Sequence, residues 1–357
     1  MTADKGIFIK NVYYMLAYAF RVLRQTNYEE IASEDFEHIH DLFAAILAKG
    51  IVQQLKQGLY REYVAKNETL SVMRGKLDLH ETIRNQIQHT RRLTCEYDEL
   101  TENNTFNQIL KTTASILMRE STVKAKRRSE LKKVMPFFSG IDELEPKTIR
   151  WNTLRYQRNN SNYQMLMNVC YFVLDGLLQT TDKGTYKMAA FSDDHMEKLY
   201  ERFVLEYYRQ HHKYLTEVKA ARIAWNLDEE PEEAMKNCLP MMQTDIVLRY
   251  NEKTLIIDTK YYGHTMQKRF NKYTIHSSNL YQIFAYVKNM DTAQTGNVSG
   301  MLLYARTEKN IVPDCVFSIS GNRISVKTLD LNMPFSGIAA QLDKVAEDHF
   351  RTNGKES

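Results

Sequence analysis

Residues 242–262 constrain the fold more than any other stretch of the chain. Met242 to Tyr250 alternates Thr244, Ile246 and Leu248 against Asp245, Val247 and Arg249. After the polar tip Asn251-Glu252-Lys253, the run from Leu255 to Tyr262 is apolar until it reaches Asp258 and Lys260. Period-two alternation, a polar turn and a second apolar run predict a β-hairpin. Side chains two apart on a strand share a face, so Asp258 and Lys260 point the same way, with Asp245 on the neighbouring strand. Charges gathered at the end of a buried strand are costly to desolvate, and the arrangement makes sense where a divalent cation and a phosphate come to the site.

The triplet alone admits two readings, a metal-dependent phosphodiester-cutting site or an ion pair on an edge strand. Three similar triplets, Glu130-Leu-Lys132, Glu145-Pro-Lys147 and Glu217-Val-Lys219, occur elsewhere. The first lies in a charged helical run, the second contains a strand-hostile proline, and the third lacks a hairpin partner carrying an upstream acid. Asp258-Thr-Lys260 has both the apolar strand and the acid, Asp245. In the metal reading, Asp245 and Asp258 offer hard oxygen ligands to Mg²⁺, the Thr259 carbonyl offers another, and Lys260 sits beside charge developing on phosphorus. The helix that follows, with Ser277 or Ser278 as N-cap, sets Asn279, Gln282 and Tyr286 on one polar stripe. By itself this stripe reads as a cap on a core edge; beside the strand pair it reads as a group that can reach phosphate.

Asp245…Asp258-Thr-Lys260…Gln282-x-x-x-Tyr286 resembles the PD-(D/E)XK nuclease core in its Gln-x-x-x-Tyr variety. More narrowly, the chain is similar to the McrC family, nuclease subunits of modification-dependent restriction systems. The similar strings run in order along most of the sequence: Asn11-Val-Tyr-Tyr-Met-Leu-Ala-Tyr-Ala19, Arg74-Gly-Lys-Leu-Asp78, Cys95-Glu-Tyr-Asp-Glu-Leu100 with Asn107, Asp182-Lys-Gly-Thr-Tyr186, and the core itself. The resemblance implies a Mg²⁺-dependent endonuclease that acts on double-stranded DNA. It also implies a hexameric AAA+ GTPase partner, whose hydrolysis the chain stimulates and which recognises the modified site. Gly75-Lys76 is followed by Leu77, with no Walker A glycine before it, so no nucleotide site is expected here and GTP belongs on the partner.

The resemblance further implies an N-terminal half, residues 1–188, that engages the GTPase, with Arg74, Lys76 and Asp78 as candidate contacts; a salt-bridged hairpin is the bland alternative for the three. Residues 189–357 form the nuclease half. A helix before the sheet, about 193–211, is expected to add a carboxylate, with Glu206 and Glu201 in contention and Glu206 preferred. Lys268, Arg269 and Lys272, in a loop after the Asp258 strand, and Asn279 are candidate DNA contacts. The fold class is α/β (α+β overall). The first half alternates helix with β-hairpin, at 11–23, 35–59, 104–135 and 161–179 for helix and about 60–100 for strand. The second is a restriction-endonuclease-like mixed sheet flanked by helices, with strands near 217–225, 241–250, 254–262, 298–305, 313–319 and 322–328 and helices at 278–290 and 335–350.

Composition narrows the alternatives. A net charge of +4 is no polybasic DNA coat, so duplex must be met by local patches. This weighs against a stand-alone structure-specific nuclease, which stays as one alternative beside a non-catalytic adaptor of the GTPase. The basic run Lys124, Lys126, Arg127, Arg128, Lys132 and Lys133 reads as a solvated helix face. Four scattered cysteines fit neither zinc spacing nor a secretory framework, and no signal peptide or spanning helix is evident, so a cytoplasmic protein with no membrane partner is expected.

Overall fold

The computed structural model describes residues 3–4, 7–20, 31, 34, 36–157, 163–178, 193–229, 232–261, 267–269, 272–306 and 313–350. The chain forms two compact units, one of residues 1–42 with 187–357 and one of residues 43–186. It therefore passes between units twice, at 42/43 and 186/187, where the sequence reading divides it once, at 188/189. The reason lies in the Ile9–Ala19 helix, whose Tyr18 ring packs against Phe203 and Tyr207 of the Asp193–His211 helix. Asn11 Nδ2 donates to the carbonyls of Leu331 and Met333, each at 2.8 Å. Apolar periodicity announces such a helix but not the surface it covers.

The first unit is built on a six-stranded mixed sheet. Its strands run in the order Cys315–Ile319, Asn322–Asp330, Val298–Arg306, Lys253–Lys260, Ile246–Tyr250 and Glu217–Lys219. The Lys253–Lys260 strand pairs antiparallel with Ile246–Tyr250, as a hairpin must, and parallel with Val298–Arg306, which is in turn parallel to Asn322–Asp330. Strands with parallel neighbours are covered on both faces and read as continuous apolar runs; 254–260 and 298–305 are buried throughout.

On one face lie Val247, Ile256, Leu302 and Val326, sealed by Ile283, Tyr286 and Val287 of the Ser277–Met290 helix. The helix approaches so closely at Gly300 that a Cβ there would lie 2.7 Å from Ile283 and 2.9 Å from Val287. Residue 277 is already helical, so His276 takes the cap position expected of a serine, and its side chain does not cap the helix. The opposite face carries Leu255, Met301, Leu303 and Ser325 beneath the Phe335–Phe350 helix.

The second unit holds a three-stranded antiparallel sheet with Leu93–Thr101 between Glu62–Leu70 and Lys76–Leu77. Gly75 makes the expected turn with φ +68°, and a Cβ there would meet the Glu96 carbonyl at 2.4 Å. Asp78 caps the Leu79–Ile87 helix by accepting from the Glu81 amide at 3.1 Å. That helix sits inside the 60–100 region read as β. The stretch expected as one helix over 104–135 is two, Thr105–Arg119 and Ala125–Val134. The first is capped by Asn104, which accepts from the Asn107 amide at 3.2 Å. In the second, Arg127 is buried and ion-paired to Glu130, an exception to the solvated basic face expected there.

Candidate metal centre and nuclease site

Asp258 and Lys260 come off the end of a strand whose neighbours bury it, so both are desolvated: Asp258 is 1% exposed and Lys260 8%. Lys260 Nζ lies 2.9 Å from Asp258 Oδ2. Beyond that lysine, neither Asp258 carboxylate oxygen has a hydrogen-bond donor among the described residues. The hairpin register pairs Ile257 with Ile246, and one step further Asp245 comes level with Asp258. Asp245 Oδ2 accepts from the Thr259 amide at 2.7 Å and from the Thr259 hydroxyl at 2.8 Å. Thr259 is thus an anchor for Asp245 through its amide and hydroxyl, a part the sequence reading did not give it.

Burial drives the Asp258 carboxyl up to about 7, and the nearby Asp245 charge adds to the rise while Lys260 opposes it. Asp245 is raised too, again chiefly by burial, and held back by its two bonds from Thr259 and by Lys260. A third carboxyl senses the same place. Glu201 is raised to about 7 by burial and by the charges of Asp245, Glu197 and Asp258. Glu201 lies on the Asp193–His211 helix, with Glu197 one turn before it on the same side.

Glu206, preferred on sequence, points elsewhere. It is buried, but its Oε1 accepts from Arg209 Nη1 at 2.7 Å, and Arg209 Nε reaches the Val218 carbonyl at 3.0 Å. Five residues of helix rotate a side chain by about 140° away from Glu201, so both acids cannot face one centre. Which of the two faces it depends on the azimuth of the helix against the sheet, and the local sequence does not carry that.

Gln282 and Tyr286 are brought together, but by each other. Gln282 Nε2 donates to the Tyr286 hydroxyl at 2.8 Å, and that hydroxyl donates to the Gln243 carbonyl at 2.9 Å. The stripe therefore ties the helix to the backbone two residues before Asp245. Asn279, expected at DNA, is buried and donates to Tyr304 Oη at 3.0 Å. Position 279 falls on the side of the helix that meets the sheet, where an amide needs an internal partner. Lys268 and Arg269 lie on a strand, Gln267–Arg269, paired antiparallel with Lys272–Thr274, so the expected loop is a two-stranded ribbon; their side chains and that of Lys272 lie outside the described residues.

In the second unit, Arg74 stacks over the Tyr97 ring at 4.0 Å and lies 3.5 Å from Glu99, Lys76 is 84% exposed near Glu96, and Asp78 is spent on its helix cap. The Asp182–Tyr186 string lies outside the described residues.

The donor set suits a hard divalent cation. A buried carboxylate whose one donor is a lysine, next to a second carboxylate, is stabilised further by a cation, and Mg²⁺ is commonly held by one or two carboxylates, its remaining ligands being water and substrate phosphate. Among the described residues, no three His, Cys, Asp or Glu side chains form a ready-made cage, so the centre is a carboxylate pair with Glu201 near it.

A mixed sheet flanked by helices, with this pair and lysine at the end of a central hairpin, defines a restriction-endonuclease-like protein. The sequence model described as "McrBC 5-methylcytosine restriction system component" matches residues 4–305, and the chain belongs to that family. It is 26% identical over 347 residues to the Type IV methyl-directed restriction enzyme EcoKMcrBC of Escherichia coli (strain K12), covering 96% of this chain and 98% of that one. Two solved structures are similar. One is a half-complex from the tetradecameric assembly of Thermococcus gammatolerans McrB AAA+ hexamers with bound McrC, with TM-score 0.47 and 17% identity over 94% of this chain and 76% of that chain. The other is the Thermococcus gammatolerans McrBC complex, with TM-score 0.40 and 21% identity over 56% and 58%. Among the described residues no helix is long and apolar enough to cross a membrane.

Proposed function

We propose that the chain is the Mg²⁺-dependent DNA endonuclease subunit of a McrBC-type restriction complex. In this reading it cuts phosphodiesters when a GTP-driven AAA+ partner engages it, and it stimulates that partner's GTPase. The observation that carries the reading is Asp258, a carboxylate 1% exposed whose one donor in reach is Lys260, with the Asp245 carboxylate beside it. Such a group is retained against its desolvation penalty when chemistry needs it. Bound Mg²⁺ would supply Lewis-acid polarisation of the phosphoryl oxygens. Asp258 and Asp245 would hold it, and Glu201 is the carboxylate placed to complete the set in preference to Glu206. Lys260 directs a buried ammonium at charge building on phosphorus. Thr259 fixes the Asp245 rotamer, and Tyr286 fixes the backbone that delivers it.

The second unit supports a partner surface. Leu79, Ile83 and Ile87 recur at i, i+4 and i+8 of one helix and are 65%, 56% and 74% exposed, with Val72 and Met73 also outside. An apolar stripe of this size on a polar unit is the mark of an interaction site, and the AAA+ partner is the occupant proposed. Arg74 and Lys76 border it.

The test uses the purified chain with its partner, GTP, Mg²⁺ and modified DNA. Asp258→Ala and Lys260→Ala are expected to abolish cleavage while partner binding and GTPase stimulation persist. Cleavage by Asp258→Ala at the wild-type rate would overturn the nuclease assignment. Stimulated GTP hydrolysis over uncut DNA by the wild-type chain would make it an adaptor.

A further inference from the structure

Behind the sheet, on the face away from Asp258 and Lys260, lies a cavity of about 290 Å³ between the central strands and the Phe335–Phe350 helix. Its floor is apolar, formed by Leu255, Met301 and Leu303. Two serines, Ser299 and Ser325, lie in that floor and are 6% and 5% exposed. Its rim is mixed, with Asp314 and Asp348 beside Arg323, Lys327 and Lys344. Arg323 and Lys344 line it and form no ion pair among the described residues, whereas Lys327 is paired with Asp314.

His349 lines the same cavity, and its Nε2 is buried without a hydrogen-bond partner. Burial and the charges of Arg323 and Lys253 push this imidazole down to about 4, while the Thr254 backbone opposes the fall by hydrogen bonding to the ring. With Nε2 unpartnered, the Thr254 carbonyl takes the proton of the other ring nitrogen, Nδ1, and Nε2 is left a buried lone-pair acceptor. An acceptor on a cavity wall takes its donor from solvent or from a bound ligand.

We infer that this cavity binds the nucleoside monophosphate moiety, with the phosphate between Arg323 and Lys344, the base over the Leu255–Met301–Leu303 floor, and a donor group of the ligand on His349 Nε2. The size sets the class. A cavity of about 290 Å³ stands at the small end of the roughly 300–1,000 Å³ of ligand pockets, enough for one nucleotide and too small for duplex. A bare inorganic anion would leave the apolar floor uncovered, and an alkyl chain would offer no donor to His349 Nε2. The Walker-type phosphate loop missing from the sequence is not needed, because the anion is met by side chains and not by a glycine-rich backbone. The moiety can come as a free nucleotide or as the phosphorylated end of a DNA strand.

The experiment titrates the full-length protein with each ribo- and deoxyribonucleoside monophosphate, by calorimetry and by thermal shift, against inorganic phosphate and unphosphorylated nucleosides. At least one monophosphate is expected to bind and raise the melting temperature, with neither half-ligand doing so. Arg323→Glu and Lys344→Glu, both at exposed positions, are expected to keep the unliganded melting temperature and weaken binding about tenfold or more each, the loss of one charge-assisted contact. Asp258→Asn is expected to bind as the wild type does, which separates this site from the nuclease centre. Competition by a 5′-phosphorylated oligonucleotide assigns the ligand to a strand end, and absence of competition assigns it to the free nucleotide. The inference falls if no monophosphate binds, if phosphate alone binds equally well, or if both charge-reversed variants bind with unchanged affinity.

Discussion

Replacing Asp258 by Asn should make the unliganded protein more stable, and the gain should grow with pH. Asp258 is 1% exposed, and burial together with the Asp245 charge outweighs the ion pair to Lys260, so the fold prefers its neutral form. Raising its carboxyl from 3.8 to about 7 corresponds to about 4 kcal/mol, at about 1.4 kcal/mol per tenfold change in proton affinity. This is an upper limit, because the protons of Asp258, Asp245 and Glu201 come off as a coupled set; about 2–4 kcal/mol is the working range.

The sign follows from proton linkage. The folded state holds this proton more tightly than the unfolded chain does. Stability is therefore full below the unfolded value near 4 and is lost as pH rises to the folded value near 7. Asparagine keeps the shape and cannot ionise. Thermal melts near about pH 5 and about pH 8 in chelator, with a cooperative unit of this size gaining roughly 2–4 °C per kcal/mol, should show a variant advantage of roughly 5–10 °C at the higher pH and much less at the lower. Added Mg²⁺ should raise the wild-type melting temperature and leave Asp258→Asn where it was, since ligand stabilises only the state that binds it. Equal melting of the two proteins at about pH 8, or a gap that does not shrink on acidification, would refute the view that burial of the carboxylate at this strand end outweighs its pairing with Lys260.

Three further outcomes follow from the contacts. Glu201→Gln is expected to raise the Mg²⁺ concentration needed for cleavage; Glu206→Gln should leave that requirement unchanged and instead destabilise by about 1–2 kcal/mol, its partner Arg209 being partly solvated, and metal titration of cleavage alongside urea melts separates the two. Tyr286→Phe removes the donor to the Gln243 carbonyl and should cost about 1 kcal/mol in stability while lowering the cleavage rate more than the affinity for DNA, read by single-turnover kinetics beside a binding assay; an unchanged rate would show that Asp245 needs no such tether. Asp78→Ala deletes the cap of the Leu79–Ile87 helix and should cost about 1 kcal/mol in the melting of the 43–186 unit, with weaker partner stimulation if that helix is the docking face.

The division between what the sequence carried and what it did not runs along the range of the physics involved. The strand–turn–strand from 246 to 260, the paired facing of Asp258 and Lys260 and the helices over 193–211, 277–290 and 335–350 follow from local periodicity, because a strand repeats every two residues and a helix every 3.6. Family resemblance rested on the same ordered strings.

Only the tertiary structure decided the rest. That Glu201 and not Glu206 turns toward the aspartates depends on how one helix is rotated against a sheet, and both residues look alike as acids in an amphipathic run. That Asn279 is buried on Tyr304, and that Tyr286 spends its hydroxyl on Gln243, depends on hydrogen bonds spanning 25 and 43 residues. The crossing of the first forty-two residues into the unit of the six-stranded sheet is settled by Tyr18 and Asn11 meeting partners from 185 to 322 residues away along the chain. Burial works the same way. Local pattern states that a residue is apolar or charged, whereas the energy of Asp258 is set by which distant strands and helices exclude water from it.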